Sequence, residues 1–343
     1  MKGLWKALSP FAPDQSGAVS VLFEFGGITV ICDAGGCTGN ICGFDEPRWQ
    51  ETKSALFSAG LRDMDAILGR DDRLVKKLAA AAEQLEAPFA AIVGTPVPAV
   101  IATDYRALRR MAEKKTGLPV ITVESTGTRL YDSGAERAYL ALLKKFAQEP
   151  APVQPGRIGV FGLTPLDFGS AGAPNALRDI LQTRGQEAMI YDRGTGLSAL
   201  RQAASNERNL AVSPSGLAAV RYLEEQFGTP WEADDPLAAG LIPEEDFSGA
   251  RVLVVHQQVR ANALRRALRE KGAEEVRAAS WFQMDPALME PGDCHLTEED
   301  ALAPLAQKAD VVVADPMMRA AVPDFEGKWI SAPHFAVSGR WEP

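Results

Sequence analysis

Short apolar runs rich in β-branched residues alternate along the chain with longer segments whose apolar residues recur at helical spacing. The short runs predict buried strands, and the longer segments predict amphipathic helices. Strands that alternate with helices form parallel sheets covered by helices. The same unit recurs three times, so the pattern predicts an α/β fold of three Rossmann-like α/β/α units with mainly parallel sheets.

The predicted elements fall into three regions. The first has strands at 26–32, 89–95 and 119–125 and helices within 63–85, 103–117 and 133–148. The second has strands at 157–163, 187–192 and 209–214, a helix at 173–185 and another that ends near Phe227. The third has strands at 251–258, 309–316 and 328–333 and a helix at 261–272.

Two stretches without apolar periodicity separate these regions, the proline-rich 149–156 and the polar 228–250. They predict linkers. The expected domains are 1–150, with the cysteine loop, then 156–228 and 250–343. We expect a cleft where the carboxyl ends of the three sheets converge, because ligands of open α/β sheets bind outside those ends.

Composition and charge narrow the class of protein. A chain of 343 residues with 46% apolar and 24% charged residues is typical of a globular protein. A net charge of −9 without a long basic run argues against a nucleic-acid partner. Prolines interrupt both the first residues and the apolar stretch 90–102, so we expect no signal peptide, no membrane span and a cytoplasmic location.

Three of the four cysteines lie five residues apart in the segment ICDAGGCTGNICGF, residues 31–44. Four cysteines are too few for a disulfide scaffold, and clustered thiols in a reducing compartment favour metal or redox chemistry. The spacing C-x₄-C-x₄-C matches neither a zinc nor a ferredoxin pattern. Metal ligands, a disulfide pair and buried apolar thiols therefore remain as alternatives.

The expected local geometry distinguishes the three cysteines as candidate metal ligands. Cys37 should lie at the start of a short helix or turn, where free N–H groups favour a thiolate, so it is the best metal-ligand candidate. Cys42 is expected on the same exposed face. Cys32 ends a predicted strand and is expected to point into the sheet.

Other candidates carry weaker signals. The glycine-rich turn at 161–181 lacks the G-x-G-x-x-G spacing, so it predicts a helix start rather than a nucleotide site. His256 lies at the carboxyl end of a strand, where ligands bind. For each remaining candidate, a simple structural role is the alternative to a site role. These candidates are the adjacent pair Cys294 and His295, and His334 near a strand end. For Arg48 the alternative is a solvent-exposed arginine, and for Trp49 it is a packed tryptophan.

Several motifs resemble the nitrogenase component 1 superfamily. Gln15, Gly17 and Ala18 resemble its Gln-Pro-x-Gly-Ala motif, and Gly36-Cys37 matches its cluster-ligating Gly-Cys. Further similar segments are AGLRDMDAILGRDDRLVKKL, AAIVGTPVPAVIATD and PHFAVSGR, so the resemblance covers nearly the whole chain. It implies a nitrogenase-like reductase component that accepts low-potential electrons from an ATP-dependent iron protein and acts on an unknown small-molecule substrate.

The chain departs from the superfamily in its cysteines. Members usually supply three cluster cysteines per subunit, and the first and third positions fall at Pro13 and Pro96. Asp14, beside the first position, is a substitute ligand or an ordinary turn residue. Because a two-fold axis lets each subunit of a homodimer contribute two ligands, Cys37 and Cys42 of two chains would complete a [4Fe–4S] cluster.

Two functional classes remain, besides a generic Rossmann-like enzyme for sugars or nucleotides. In the first, the chain is the electron-accepting or catalytic reductase component. In the second, it is a non-catalytic scaffold for an iron–sulfur cluster or cofactor. The cofactor-binding residues expected in both are Cys37, Cys42, Cys32 and Gly36, with Cys37 and Cys42 as the metal ligands.

Overall fold

A computed structural model describes residues 5–50, 52, 54–191 and 194–342 of the chain. Its strands form three sheets, and every pairing between them is parallel. Helices cover these sheets, which confirms the α/β fold class expected from the sequence. The sheets hold four, four and five strands in chain order.

The first sheet has the strand order β2-β1-β3-β4. Its strands are β1 (Ile28–Ile31), β2 (Ala55–Ser58), β3 (Ala90–Val93) and β4 (Val120–Val123). Its helices are α1 (Asp14–Leu22), α2 (Gly36–Asn40), α3 (Asp63–Leu68), α4 (Asp71–Ala82), α5 (Pro96–Val100), α6 (Tyr105–Thr116) and α7 (Tyr131–Phe146). The apolar strands β1 and β3 are buried along their whole length, as expected for the centre of a parallel sheet.

The second sheet has the order β6-β5-β7-β8. Its elements are β5 (Gln154–Phe161), α8 (Pro165–Phe168), α9 (Ala173–Thr183), β6 (Glu187–Ile190), α10 (Gly196–Arg201), β7 (Asn206–Ala211), α11 (Leu217–Phe227) and β8 (Trp231–Ala233).

The third sheet has the order β11-β10-β9-β12-β13. Its elements are β9 (Arg251–Val255), α12 (Gln258–Glu270), β10 (Glu275–Ser280), β11 (Cys294–His295), α13 (Leu302–Ala306), β12 (Val311–Ala314), β13 (Lys328–Ser331) and α14 (Phe335–Ser338).

The structure changes some predicted boundaries. The last three residues of the predicted linker 149–156 are strand, because β5 begins at Gln154, which pairs with Asn206. The predicted separator 228–250 contributes the edge strand β8. The helical stretch 63–85 is split where Gly69 adopts a left-handed conformation with φ 63°. The domain boundaries themselves stay a prediction.

The first two units share one apolar core. Helix α7 packs on α1 and α11, and one buried cluster includes Ala18, Tyr139, Phe161 and Leu217 from both units.

The segment before α1 packs on the third unit instead. Leu8 and Phe11 pack in the core of the third unit, with Trp281 and Phe282.

Helices α1 and α7 approach each other at two glycines. A Cβ on Gly17 would lie 1.8 Å from the carbonyl oxygen of Tyr131, and one on Gly134 would lie 1.7 Å from that of Asp14. Only glycine permits backbones to pass this closely. This crossing fixes the start of α7 beside the first sheet.

Among the described residues, no helix is both long enough and apolar enough to cross a membrane.

Candidate functional site

The cysteine segment forms two short helical pieces directly after β1. Gly35, with φ 119°, turns the chain into α2, and a π-helical turn follows at Ile41–Asp45. Cys37 lies on α2 and Cys42 lies in the π-helical turn, both partly exposed. The carboxyl end of β1 therefore presents both thiols at one edge of the first sheet.

Asp33 occupies the amino end of α2. Its carboxylate accepts hydrogen bonds from the Thr38 amide at 2.7 Å and the Ser58 hydroxyl at 2.6 Å. This carboxylate takes the Thr38 amide, while the backbone N–H of Cys37 still acts to lower the pKa of its own thiol, in the direction expected from the sequence. Burial, and then the charge of Asp33, raise the pKa of Cys37; burial, Glu46 and Asp33 raise the pKa of Cys42.

Cys32 lies apart from the other two thiols. It is 2% exposed and packs with Val30, Leu74 and Ile92 in the apolar core between the first sheet and α4 and α6. Burial raises the pKa of its thiol to about 12. The position agrees with the expectation that Cys32 points into the sheet, and it makes Cys32 a poor metal ligand.

Cys37 and Cys42 have different surroundings. Cys37 packs against the main core cluster, of which Cys42 is not a part. Within the described ranges, no three His, Cys, Asp or Glu side chains are placed to hold a metal ion together. Among these residues, a single chain therefore presents at most two such side chains to one ion.

Arg48 holds the segment after the cysteines in place. Its guanidinium pairs with Glu46 at 2.7 Å and Glu24 at 3.0 Å, and it donates to the carbonyl of Ser20 at 2.6 Å. Arg48 is 3% exposed, so the expectation of a solvent-exposed arginine is wrong. The predicted packing of Trp49 is confirmed, since its ring meets Phe23 edge to face at 6.3 Å.

A cleft of about 780 Å³ lies where the three units meet. Its wall includes Gly127 after β4, Leu166 after β5, Met317 after β12 and Phe335 after β13. The lining segments thus follow strand carboxyl ends in all three sheets, which confirms the cleft expected from the sequence. Asn40, Gly43, Phe44 and Asp45 of the cysteine segment also line it.

A buried hydrogen-bonded chain connects the three units behind this cleft. The Tyr131 hydroxyl lies 2.6 Å from Asp167 Oδ1 and 2.8 Å from His334 Nε2. The His334 ring stacks on His256 with centroids 4.4 Å apart. Because the Gln257 amide donates to Nδ1 of His256, that imidazole is neutral with its proton on Nε2.

Both histidines are buried and have partners inside the protein. Burial lowers the pKa of His256 and lowers that of His334 to about 3. Cys294 and His295 form the two-residue edge strand β11 and join no metal-ligating group among the described residues.

Reasoning from the sequence did not identify several residues of the site. Asp33, Asp45, Tyr131 and Asp167 were not among the candidates. Asp33 and Asp167 follow the carboxyl ends of β1 and β5, so the strand-end rule applied to His256 would have found them. Asp45 and Tyr131 carry no comparable signal, because only the packing of the three units brings them to the cleft and the buried chain.

The family model for the nitrogenase component 1 type oxidoreductase matches residues 15–241. The chain belongs to this family. The match runs from α1 through the second sheet, so it includes the cysteine segment but a minority of the described residues that line the cleft. Family membership confirms the resemblance seen in the sequence motifs.

Curated relatives in the nitrogenase component 1 family include the nitrogenase iron-molybdenum cofactor biosynthesis protein NifE from three organisms. The Klebsiella pneumoniae protein is 29% identical over 192 residues, covering 51% of this chain and 41% of that protein. The Bradyrhizobium diazoefficiens protein is 25% identical over 182 residues, 51% of this chain and 32% of that protein. The Methanosarcina barkeri protein is 22% identical over 241 residues, 66% of this chain and 47% of that protein. The matches thus span less than half the length of each relative.

Two solved structures share the fold of this chain. "Nitrogenase Cp1 at pH 6.5" aligns with a TM-score of 0.73 at 9% identity, covering 97% of this chain and 87% of that chain. "Nitrogenase Cp1 at pH 5" aligns with a TM-score of 0.69 at 13% identity, covering 96% and 84%. At such low identity the likeness establishes the three-unit architecture alone.

Two of the segments that carry the nitrogenase component 1 resemblance lie next to each other. Pro96 and Gln15 both pack at Gly127, where an added Cβ would lie 2.4 Å from Pro96 Cγ and 3.5 Å from Gln15 Oε1. The hydroxyl of Thr95, beside Pro96, donates to the carbonyl of Cys32 at 2.6 Å. Pro13 and Pro96 supply no sulfur.

The Asp14 carboxylate is buried and hydrogen-bonded within the chain. Its Oδ2 and Oδ1 accept from the amides of Thr126 at 2.9 Å and Gly127 at 2.7 Å. Both oxygens thus hold the loop after β4. Of the two roles expected for Asp14, the structure supports the turn residue.

Proposed function

We propose that the chain is a nitrogenase-like reductase component. It accepts low-potential electrons from an ATP-dependent iron protein through an iron–sulfur cluster shared between two copies, and it reduces a small molecule in the cleft. The observation that carries the proposal is that Cys37 and Cys42, two partly exposed thiols, belong to the segment that lines this cleft through Asn40 and Gly43, in a member of the nitrogenase component 1 family. A bound cluster would supply one-electron storage there.

The glycines of the cysteine segment support contact with a group outside the chain. An added Cβ on Gly36, Gly39 or Gly43 would have no neighbour within 4 Å. Packing within the chain therefore does not require glycine at these positions. A cluster or a second backbone that approaches closely would require it.

The partial ligand set supports a homodimer. Each chain offers two partly exposed thiols, and a [4Fe–4S] cluster is held by four cysteines. Two copies related by a two-fold axis supply that number. Because both thiols have a raised pKa, metal binding must also displace their protons, which makes assembly of the site pH-dependent.

Iron and sulfide analysis of protein purified without oxygen tests the ligands. We expect about four iron atoms per dimer. The Cys37→Ser/Cys42→Ser variant should lose them, and Cys294→Ser, also a partly exposed cysteine, should keep them. Trace iron in the wild type, or full iron in the double variant, would overturn the cluster assignment.

Light scattering before and after chelation tests the shared site. A cluster that binds only the assembled state stabilises the dimer, so chelation and Cys37→Ala should both shift the mass toward the monomer. An iron-loaded monomer would refute the shared cluster and leave a site within one chain.

The absence of sulfur at Pro13 and Pro96 favours one alternative, a scaffold that holds an iron–sulfur cluster or cofactor without catalysis. The similarity to NifE, a cofactor biosynthesis protein, points the same way. Reduction of the cluster by an iron protein only when ATP is present supports the reductase. Transfer of the cluster to an apo-acceptor, without such reduction, supports the scaffold.

A further inference from the structure

The wall of the cleft carries charge of one sign. Polar and apolar atoms contribute about equally to its surface, and its larger side chains are apolar: Phe11, Phe44, Leu166, Met317, Phe335 and Val337. Asp45 is the one charged residue among the described residues that line it, and no Lys, Arg or His side chain does so. A volume of about 780 Å³ is within the range of small-molecule sites. An anionic ligand would therefore meet a carboxylate and no counter-charge.

Asp45 has one oxygen available to a ligand. The Ser16 hydroxyl and the Asn40 amide both donate to Oδ2, at 2.6 and 2.7 Å. Oδ1 accepts no hydrogen bond from the described residues. These two bonds fix the orientation of the carboxylate without neutralising it. Burial raises the pKa of Asp45, because the charged form is poorly hydrated, and a cation at Oδ1 would compensate for that loss.

Phe44 lies next to Asp45 in the π-helical turn, and its side chain is 75% exposed. π-helical turns are frequent at functional sites. Both residues line the cleft, so an aromatic ring and a carboxylate are presented together. The face of an aromatic ring attracts cations, and the attraction is stronger where water is excluded.

We infer that the cleft binds an organic cation, an ammonium or amidinium group on an apolar body, through Asp45 Oδ1 and the ring of Phe44. The apolar side chains of the wall, such as Leu166 and Phe335, contact the body of this ligand. The inference names a substrate class for the proposed function and rests on it in one respect, that the cleft is the substrate site. It does not depend on the iron–sulfur cluster.

Calorimetric titration of iron-free full-length protein tests the inference with three probes that share a phenyl ring. Benzyltrimethylammonium is the cation, benzyl alcohol the neutral probe and phenylacetate the anion. We expect the cation to bind about tenfold more tightly than phenylacetate, since a cation that meets a carboxylate and a ring gains free energy of that order. Asp45→Asn keeps the shape of the side chain and should abolish most of this preference.

Phe44→Ala provides an independent variant, because an exposed ring can be removed without disturbing the core. It should weaken binding of the ammonium more than binding of benzyl alcohol. Phe57→Ala, on the edge strand β2 and 39% exposed, is the matched control and should change neither affinity.

Three results would overturn the inference: no binding of the ammonium, equal affinity for phenylacetate, or an unchanged preference in Asp45→Asn. Iron analysis of the same preparation before the cluster is removed keeps the two proposals apart. Iron without cation binding would refute the ligand class alone. Cation binding to a protein that never contains iron would refute the cluster alone.

Discussion

The Tyr131 hydroxyl donates to Asp167 Oδ1 at 2.6 Å, and this bond joins the start of α7 in the first unit to α8 in the second. Since Tyr131 gives its only proton to Asp167, Nε2 of His334 donates to the tyrosine oxygen at 2.8 Å. All three side chains are fully buried or nearly so. One hydroxyl thus satisfies polar groups from two other units.

Tyr131→Phe should destabilise the protein by about 2 kcal/mol, because Asp167 and His334 would each lose a buried hydrogen-bond partner. Chemical denaturation followed by circular dichroism measures the free energy of unfolding. Tyr222→Phe is the control: the Tyr222 hydroxyl makes no hydrogen bond among the described residues, so its loss should matter little. Equal stability of both variants would show that the hydroxyl contributes nothing.

Asp167 should make stability depend on pH. Burial raises its pKa to about 7, despite hydrogen bonds from Tyr131 and Thr164, and the charge of Asp132 raises it further. In an unfolded chain an aspartate titrates near about pH 4. The folded protein therefore binds this proton more tightly, and the resulting stability is complete below about pH 4 and lost as the pH rises to about 7.

The Asp167→Asn variant isolates that contribution. Its free energy of unfolding relative to wild type should rise by up to about 1 kcal/mol per pH unit between about pH 4 and 7. His334, whose pKa is lowered to about 3, acts in the opposite direction but is present in both proteins. Denaturation curves at several pH values measure the difference. A difference that is flat with pH would contradict the raised pKa.

Gly17→Ala should destabilise the crossing of α1 and α7, because its Cβ would lie 1.8 Å from a backbone oxygen that cannot move independently. We expect a loss of about 3 kcal/mol or more, as for severe overpacking. Gly240→Ala is the matched control, since an added Cβ there has no neighbour within 4 Å. Thermal melting of the two variants decides the comparison, and a Gly17 variant as stable as the control would disprove the close approach.

Asp33→Asn should speed alkylation of Cys37 and Cys42, because loss of the nearby negative charge lowers the pKa of both thiols. Timed iodoacetamide labelling read by mass spectrometry gives the rates. Cys32 serves as an internal reporter, since its buried thiol should react only when the structure opens. Faster labelling of Cys32 would mean a loosened fold, and unchanged rates at all three would refute the role of Asp33.

Limited digestion with proteinase K tests the domain boundaries. First cuts are expected in the exposed linker before β5, residues 149–153, where Val153 is 60% exposed, or in the stretch between β8 and β9. First cuts inside 63–85 or 251–270 would contradict the proposed division. The fragment that contains residues 5–12 should stay bound to the third unit, where Leu8 and Phe11 are buried.

The sequence by itself determined the elements and the family. Apolar runs such as 89–95 and the periodic segment 103–117 specify strand and helix through local spacing, and Gly36-Cys37 stands within a recognisable motif. These features depend on neighbours along the chain. They therefore persist in the sequence even where overall identity to known structures is about a tenth.

Only the tertiary structure decided which side chains meet. The carboxylate of Asp33 at the amino end of α2, the buried position of Arg48 and the contact of Tyr131 with Asp167 join residues from separate elements or units. The charge state of such groups depends on burial and on partners that packing alone supplies. The same holds for the cleft: among the described residues that line it, Asp45 has the one carboxylate oxygen that accepts no hydrogen bond, and only the folded structure determines which oxygen that is.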